Sequence, residues 1–282
     1  MTITYDPKHP KYTDEADVRE ELTRVYDLCH GCRLCFKFCS SFPTLFSYVD
    51  QHESQDAGLL TPEQQDQVAN ECFQCKLCYV NCPYIPELHE WQLDFPRLML
   101  RHDAMRRANG QVTMRKRITD SVMGHTDLIG SVSTKAAAVT NVVISAKPGS
   151  FIRKAVEKTA GVSSVRLLPP YAKVRFSTWF KKRVKPVIAK KQGQVAVFPT
   201  CLVEYQQPGI GQDLVKVYER NGVECSLIEG AGCCGAPYLH SGDVDTFTKT
   251  AVKQVKALAA AVRAGNDIVV PQPTCGYVLK KD

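Results

Sequence analysis

Eight of the thirteen cysteines in this 282-residue chain fall into two identical runs. The first reads Cys29-x-x-Cys32-x-x-Cys35-x-x-x-Cys39; the second reads Cys72-x-x-Cys75-x-x-Cys78-x-x-x-Cys82 and is followed by Pro83. Three thiolates at this spacing wrap one corner of a cubane [4Fe–4S] cluster on a tight turn, and where two clusters are bound the fourth cysteine of each run ligates the other cluster. The rule predicts one cluster on Cys29, Cys32, Cys35 and Cys82, and a second on Cys72, Cys75, Cys78 and Cys39. Zinc knuckles also use C-x-x-C pairs, but zinc has no need of two copies of a four-cysteine run. A disulfide framework belongs to secreted chains. The first residues, MTITYDPKHPKYTDE, lack the basic and apolar stretches of a secretory signal. Thiols that hold iron need a reducing compartment, so cytoplasmic exposure is expected.

The elements that must position these cysteines follow from charge and periodicity. The net charge of +7 is unevenly spread: residues 1–100 carry −8, residues 101–191 carry +16 and residues 192–282 carry −1. Three regions with those bounds are expected. In residues 13–28, a Thr/Asp cap, an acidic first turn and helical spacing of Val18, Leu22, Val25 and Tyr26 predict a helix that delivers the chain into Cys29. Between the runs, Thr61-Pro62 predicts an N-cap and first helical position. The linker, residues 40–71, is helical in texture. It therefore resembles the α-helical ferredoxin domain of succinate dehydrogenase iron–sulfur subunits rather than small bacterial ferredoxins.

In the basic middle region, Val122, Ile129, Val132, Ala136 and Val139 have helical spacing, as do Phe151, Ile152, Ala155 and Val156. His125, Asp127 and Lys135 interrupt the most apolar window, Ser121 to Ala146, so no transmembrane span is expected. Further on, Phe176, Trp179 and Phe180 stand beside Lys181, Lys182, Arg183 and Lys185. Aromatics next to a cationic cluster match a membrane-surface anchor, and Trp179, Phe180, Lys181, Lys182 and Arg183 are the expected membrane contacts. A solvated basic face with Trp179 in the core is the simpler alternative. No nucleic-acid partner is expected, because positive charge is the one relevant feature and no recognition motif accompanies it.

From Gly193 the texture becomes β/α. Gln194 to Phe198, Val223 to Ile228 and Asp267 to Val270 read as strands; Gln212 to Asn221 and Asp243 to Ala264 read as helices, with Gly222 and Gly265 as stops. Alternation of this kind implies a parallel layer. Cysteines follow each strand: Cys201, then Cys233-Cys234-Gly235, then Cys275. Loops at the carboxyl ends of parallel strands converge on one crevice, so four thiols are expected to meet there. Cys225 lies inside the second strand and reads as a small core residue.

Cys201-x31-Cys233-Cys234-Gly235 followed by Gln272-Pro-Thr-Cys275 resembles the cysteine-rich CCG module. That module is shared by heterodisulfide reductase B subunits, anaerobic glycerol-3-phosphate dehydrogenase C subunits and the iron–sulfur subunits of glycolate and lactate oxidases. The pattern ends in C-x-x-C, and here Gln272 stands in place of the first of those cysteines. Four thiolates remain, enough for one further [4Fe–4S] cluster but one short of a five-cysteine site.

The order of regions resembles the glycerol-3-phosphate dehydrogenase C-subunit type. The expected fold is α+β and multidomain: an α-helical two-cluster ferredoxin domain (1–100), a basic amphipathic helical connector (101–191) and an α/β CCG module (192–282). The resemblance implies an iron–sulfur electron-transfer subunit, inactive alone and without catalytic residues. It would take electrons from a flavoprotein dehydrogenase of the glycerol-3-phosphate or 2-hydroxy acid type towards membrane quinone or another acceptor. It would sit at the inner face of the cell membrane as a peripheral protein. The alternative is a heterodisulfide reductase-like subunit that reduces a disulfide at the CCG site, with Cys233-Cys234 as the dithiol. Because the third strand would leave a parallel sheet too small to be covered on both faces, the gene is expected to continue into a second CCG half.

Overall fold

The computed structural model describes residues 5–188 and 190–282. The chain divides into two compact units. The first takes the chain up to Thr113 together with Leu239–Val244, and the second takes Met114–Tyr238 with Asp245–Asp282. The helices of the basic middle region from Met114 onward fall in the second unit with the α/β segment.

Helices α1 (Glu15–Cys32), α2 (Ser41–Val49), α3 (Pro62–Asn70), α4 (Leu77–Asn81) and α5 (Phe95–Ala108) build the first unit. Asp14 caps α1 by accepting from the Asp17 N–H at 2.8 Å. The buried face of α1 is Val18, Leu22, Val25 and Tyr26, the spacing legible in the sequence. The helix runs four residues beyond the expected end, through Cys32, and stops where Arg33 takes a left-handed conformation and donates its N–H to the Cys29 carbonyl at 2.8 Å. Nothing between Leu28 and Cys32 breaks the i→i−4 ladder, so the first two cysteines of the run are helical. Thr61 caps α3 and closes a reciprocal capping box with Gln64. The core of this unit joins the apolar face of α1 to Phe42, Leu45, Phe46 and Val49 of α2, Val68 of α3, and Leu98, Met99 and Met105 of α5.

In the second unit, α6 (Met114–Gly124), α7 (Thr126–Lys135), α8 (Ala137–Ile144), α9 (Phe151–Ala160) and α10 (Phe176–Lys182) precede the sheet. Then follow β1 (Gly193–Val197), α11 (Cys201–Tyr205), α12 (Pro208–Arg220), β2 (Val223–Leu227), α13 (Ala236–His240), α14 (Val244–Arg263), β3 (Asp267–Val269) and α15 (Pro273–Lys281). The strands are all parallel in the order β2-β1-β3, with Val195 opposite both Cys225 and Asp267. The α/β alternation agrees with the sequence reading within a few residues at each end. Cys225 is a core residue, packed with Val195, Val197 and Val215.

The aromatic cluster at 176–183 requires a correction. Phe180 is only 7% exposed, Phe176 is fully buried and Trp179 packs partly buried against them, all in the core shared with β1, α11 and α12. Arg183 lies 3.5 Å from the centroid of the Phe180 ring and pairs with Glu219 at 2.5 Å. Of the five expected membrane contacts, Lys181 and Lys182 alone are exposed. The amphipathic pattern was real, but its apolar side faces the sheet. The apolar stripe of the middle region behaves in the opposite way: Val122, Val132 and Val139 are exposed, while Gly124, Gly130, Thr134 and Ala137 are buried. No helix among the described residues is long and apolar enough to cross a membrane.

Candidate metal centres

The two cysteine runs use one local device. In each, the residue after the second cysteine has a left-handed backbone, Arg33 at φ 54° and Lys76 at φ 64°, which turns the chain between the second and third cysteines. Side chains rarely adopt this conformation without a compensating role. Arg33 hydrogen-bonds Asp50 at 3.1 Å, and His30 contacts the same carboxylate at 2.9 Å, a clamp at the end of α1 that holds the Asp50 carboxyl down at about 2. Lys76 is buried, and its ammonium reaches the Gln74 side chain at 3.1 Å while favouring the charged form of Cys72.

Six of the eight thiols, those of Cys29, Cys35, Cys39, Cys72, Cys78 and Cys82, lie in or against the core of the first unit, and Cys32 and Cys75 are exposed. Cys29 is pushed up by burial and then by the neighbouring thiols of Cys35, Cys82 and Cys32. Burial, then Cys82, Cys32 and Cys39, pushes Cys35 up to about 12. In the second run, burial pushes Cys72 up to about 12, and Cys39 and Cys75 add to it. Cys82 and Cys39 thus each act on the other run, and Cys39 acts on Cys35 of its own run as well. Cys78, the most buried of the eight, is raised by burial and by Cys72, Cys35, Cys29 and Cys39, which come from both runs. Backbone N–H groups of Gln74 and Tyr84 donate to the sulfurs of Cys72 and Cys82 at 3.5 and 3.4 Å. A crowd of buried thiols is costly to ionise unless a cation of high charge joins it, and a cluster that binds thiolates supplies that charge. The donor set fits such a group. Among the described residues no three His, Cys, Asp or Glu side chains are grouped to hold a lone metal ion.

The second constellation lies at the carboxyl ends of the three strands. Thr200, at φ 55°, caps α11 and sets Cys201 at its first position. Cys233 and Cys234 follow β2, and Cys275 opens α15 after β3. The sulfurs of Cys234 and Cys275 are 3.3 Å apart, and the Cys275 thiol points to the Gln272 side-chain oxygen at 3.6 Å. Hydrogen bonds from the Cys201 and Cys234 thiols pull Cys233 down, which raises those two in turn. Gly235, at φ 92°, turns the chain where a Cβ would stand 2.9 Å from the Phe247 ring. All four expected thiols are thus brought together, and Cys225 stays apart in the core.

The sequence reading missed what α7 contributes. Asp127 accepts from the Cys233 N–H at 2.8 Å and from the Tyr205 hydroxyl at 3.2 Å. Burial and the Asp127 charge keep that phenol protonated. Gly130 lets α7 approach, since a Cβ there would collide with the Tyr205 ring. The signal was present, since Asp127 is one of only four acids among twenty cations in residues 101–191, directly behind a threonine at a helix start. Asp127→Ala is expected to free the Cys233 amide, seen as faster hydrogen exchange in the 229–235 loop, and to cost about 1.5–3 kcal/mol of stability, the range for a hydrogen bond to a charged group. Asp127→Asn keeps an acceptor and should retain most of the protection. Equal exchange in wild type and Asp127→Ala would contradict the arrangement.

Comparison with known proteins agrees with this geometry. The 4Fe-4S dicluster domain family model matches residues 28–85, and the cysteine-rich domain model matches residues 195–280. The chain is 32% identical over 182 residues to the C subunit of the anaerobic glycerol-3-phosphate dehydrogenase of Escherichia coli (strain K12), covering 64% of this chain and 45% of that one. Lactate utilization protein A of Bacillus pumilus is 37% identical over 82 residues, 29% of this chain and 33% of its own length. The B subunit of the fumarate reductase (CoM/CoB) of Methanothermobacter marburgensis is 30% identical over 89 residues, 32% of this chain and 17% of its own. The chain therefore spans about half the length of the first of these relatives and less of the others. No solved structure matches it. Two cysteine runs in a 4Fe-4S dicluster domain, followed by four converging thiols in a cysteine-rich domain, make this chain an iron–sulfur protein of the [4Fe–4S] class, similar over 64% of its length to the glycerol-3-phosphate dehydrogenase C subunit.

Proposed function

We propose that the chain is an electron-relay subunit of an oxidoreductase, and the observation carrying this reading is the packing of thiols from both cysteine runs against one core. In this reading Cys29, Cys32, Cys35 and Cys82 hold one [4Fe–4S] cluster, and Cys72, Cys75, Cys78 and Cys39 hold the other. Cys201, Cys233, Cys234 and Cys275 hold a third metal group. The clusters supply one-electron chemistry when bound. The protein's own part is to pack six of the eight sulfurs in or against the core, to place Lys76 as a counter-charge and to keep water from Cys78. Electrons arrive from a flavoprotein dehydrogenase acting on glycerol 3-phosphate or a 2-hydroxy acid, and leave to membrane quinone or another acceptor. Disulfide reduction at the second constellation is disfavoured, since Cys234 and Cys275 are each only 3% exposed.

Attachment to the inner membrane face is part of the proposal, with the contact moved from 179–183 to α6 and α9. Met114, Ile118 and Val122 repeat every fourth residue on α6 and are all more than half exposed, beside Arg115, Lys116 and Arg117; Phe151 on α9 is 87% exposed. Such a face matches an interfacial helix.

The test is anaerobic mixing of the iron-loaded chain with a substrate-reduced flavoprotein dehydrogenase of either type. Bleaching of the sulfur-to-iron absorption within the turnover time supports the relay. A loaded chain that no such flavoprotein reduces, yet that turns over a small disulfide, would replace this reading by the catalytic one.

A further inference from the structure

Around the second cysteine run the surface is apolar where solvent would favour polar groups. Phe73 is 70% exposed, Leu77 47% and Val80 72%, and Cys75 is exposed among them. Phe73 and Leu77 flank Cys75 two residues to either side, and Val80 stands one turn after Leu77 on α4. Monomeric surfaces seldom present large apolar side chains in such a group without an interaction to explain it. The exposed charges of the segment itself have one sign, and Arg24 of α1 donates to the Trp91 carbonyl at 2.8 Å beside it. Between Asn70 and Pro96 the single Lys or Arg is Lys76, which is buried, whereas Glu87 and Glu90 are exposed. Glu87 is tied to α4 by the Tyr79 hydroxyl, which donates to it at 2.6 Å. The first run differs, since Arg33 and Lys37 are exposed beside Cys32.

We propose that Phe73, Leu77 and Val80, with Glu87 and Glu90 at the rim, form the docking face for a redox protein whose cofactor edge is apolar and bordered by lysine and arginine. Cys75 is the exposed sulfur of its set, so an electron crossing here has a short path from the second cluster to the surface. The step is a one-electron transfer: a reduced cluster loses one electron, the partner's cofactor gains one, and no covalent bond changes. The acidic rim steers a cationic partner, and the apolar centre seats it without a desolvated charge. The proposal rests on the cluster reading above.

The experiment uses the full iron-loaded chain, reduced anaerobically, with oxidised cytochrome c as a lysine-rimmed one-electron probe and ferricyanide as a small probe that needs no docking. The rate constant for cytochrome c is expected to fall about tenfold as ionic strength rises from low to physiological, the behaviour of opposite-charge steering. Phe73→Lys with Val80→Lys should slow cytochrome c reduction about tenfold and leave the ferricyanide rate within twofold. Glu87→Gln with Glu90→Gln, which keeps the apolar centre intact, should weaken the salt dependence. Leu34→Lys with Phe36→Lys, at the first run, should change little. A cytochrome c rate indifferent to salt and to both second-run double variants, or lost instead in the first-run variant, would overturn the proposal. So would self-association of the wild-type chain that Phe73→Lys with Val80→Lys abolishes at unchanged transfer rate, because the face would then belong to a second copy. A chain that takes up no iron would overturn the cluster reading and the docking face together, whereas iron-loaded chain with unaffected rates overturns the docking face alone.

Discussion

Cys39→Ser is expected to remove about four irons from the chain, and the cluster lost is the one on the second run, more than thirty residues away in sequence. Cys39 follows Cys35 by four residues and acts on it, but it also acts on Cys72 of the second run, while Cys82 acts on Cys29 and Cys35 of the first. A serine at Cys39 takes one of four thiolates from the set of Cys72, Cys75 and Cys78 and leaves Cys29, Cys32, Cys35 and Cys82 complete. Paramagnetic resonance of the reduced variant should therefore keep the signal of the first set and lose magnetic interaction between two clusters. The reciprocal Cys82→Ser should lose the other signal. If Cys39→Ser instead destroys the signal of the first set, each run feeds its own cluster and the crossed assignment is wrong.

Arg101→Leu is expected to destabilise the first unit by about 3–5 kcal/mol, the range for breaking a buried ion pair. Arg101 is completely buried. Its guanidinium donates to the Tyr12 and Lys11 carbonyls at 3.0 and 2.6 Å and to the Asp17 carboxylate at 2.6 Å. These bonds fasten the segment before α1, and the first turn of α1, to α5. Leucine fills the volume but strands two carbonyls and leaves Asp17 with Lys11 as its cation. Because α1 carries Cys29 and Cys32 at its far end, the variant should also lose iron faster on dilution. Burial opposes ionisation of Asp17, but the hydrogen bonds from Arg101 and Lys11 outweigh it and hold the carboxyl below its usual range. A depressed pKa stabilises the fold above the unfolded value and loses that contribution as pH falls through the folded value. The gap between wild type and variant should thus be full at neutral pH and narrow in acid below the ordinary carboxylate range. A gap below about 1 kcal/mol at neutral pH would show that the pair is dispensable.

Much of the site was legible because cysteine spacing is a short-range code. The two runs, the four strand-end cysteines and the α/β alternation each depend on neighbours within a few residues. So do the caps at Asp14 and Thr61, where side-chain chemistry decides the helix start. Orientation was not legible. Trp179 and Phe180 sit beside cations in sequence, and that pattern suits a membrane face or a core edge equally; which one wins depends on β1 and α12, which supply the apolar partner. The reverse holds for Val122, Val132 and Val139, whose spacing suggests a buried stripe, yet α7 packs through Gly130 and Thr134 because only small residues let it approach Tyr205 closely enough for Asp127 to reach the cysteine loop. Asp127 itself joins the site across 106 residues of sequence, a distance no local pattern reports.

The most direct measurement is the iron and acid-labile sulfide content of the full chain purified without oxygen. Two clusters on the crossed sets require about eight iron and eight sulfide per chain, and a filled third site raises each to about twelve. Stoichiometric zinc with negligible iron and no sulfide would contradict the account at its root.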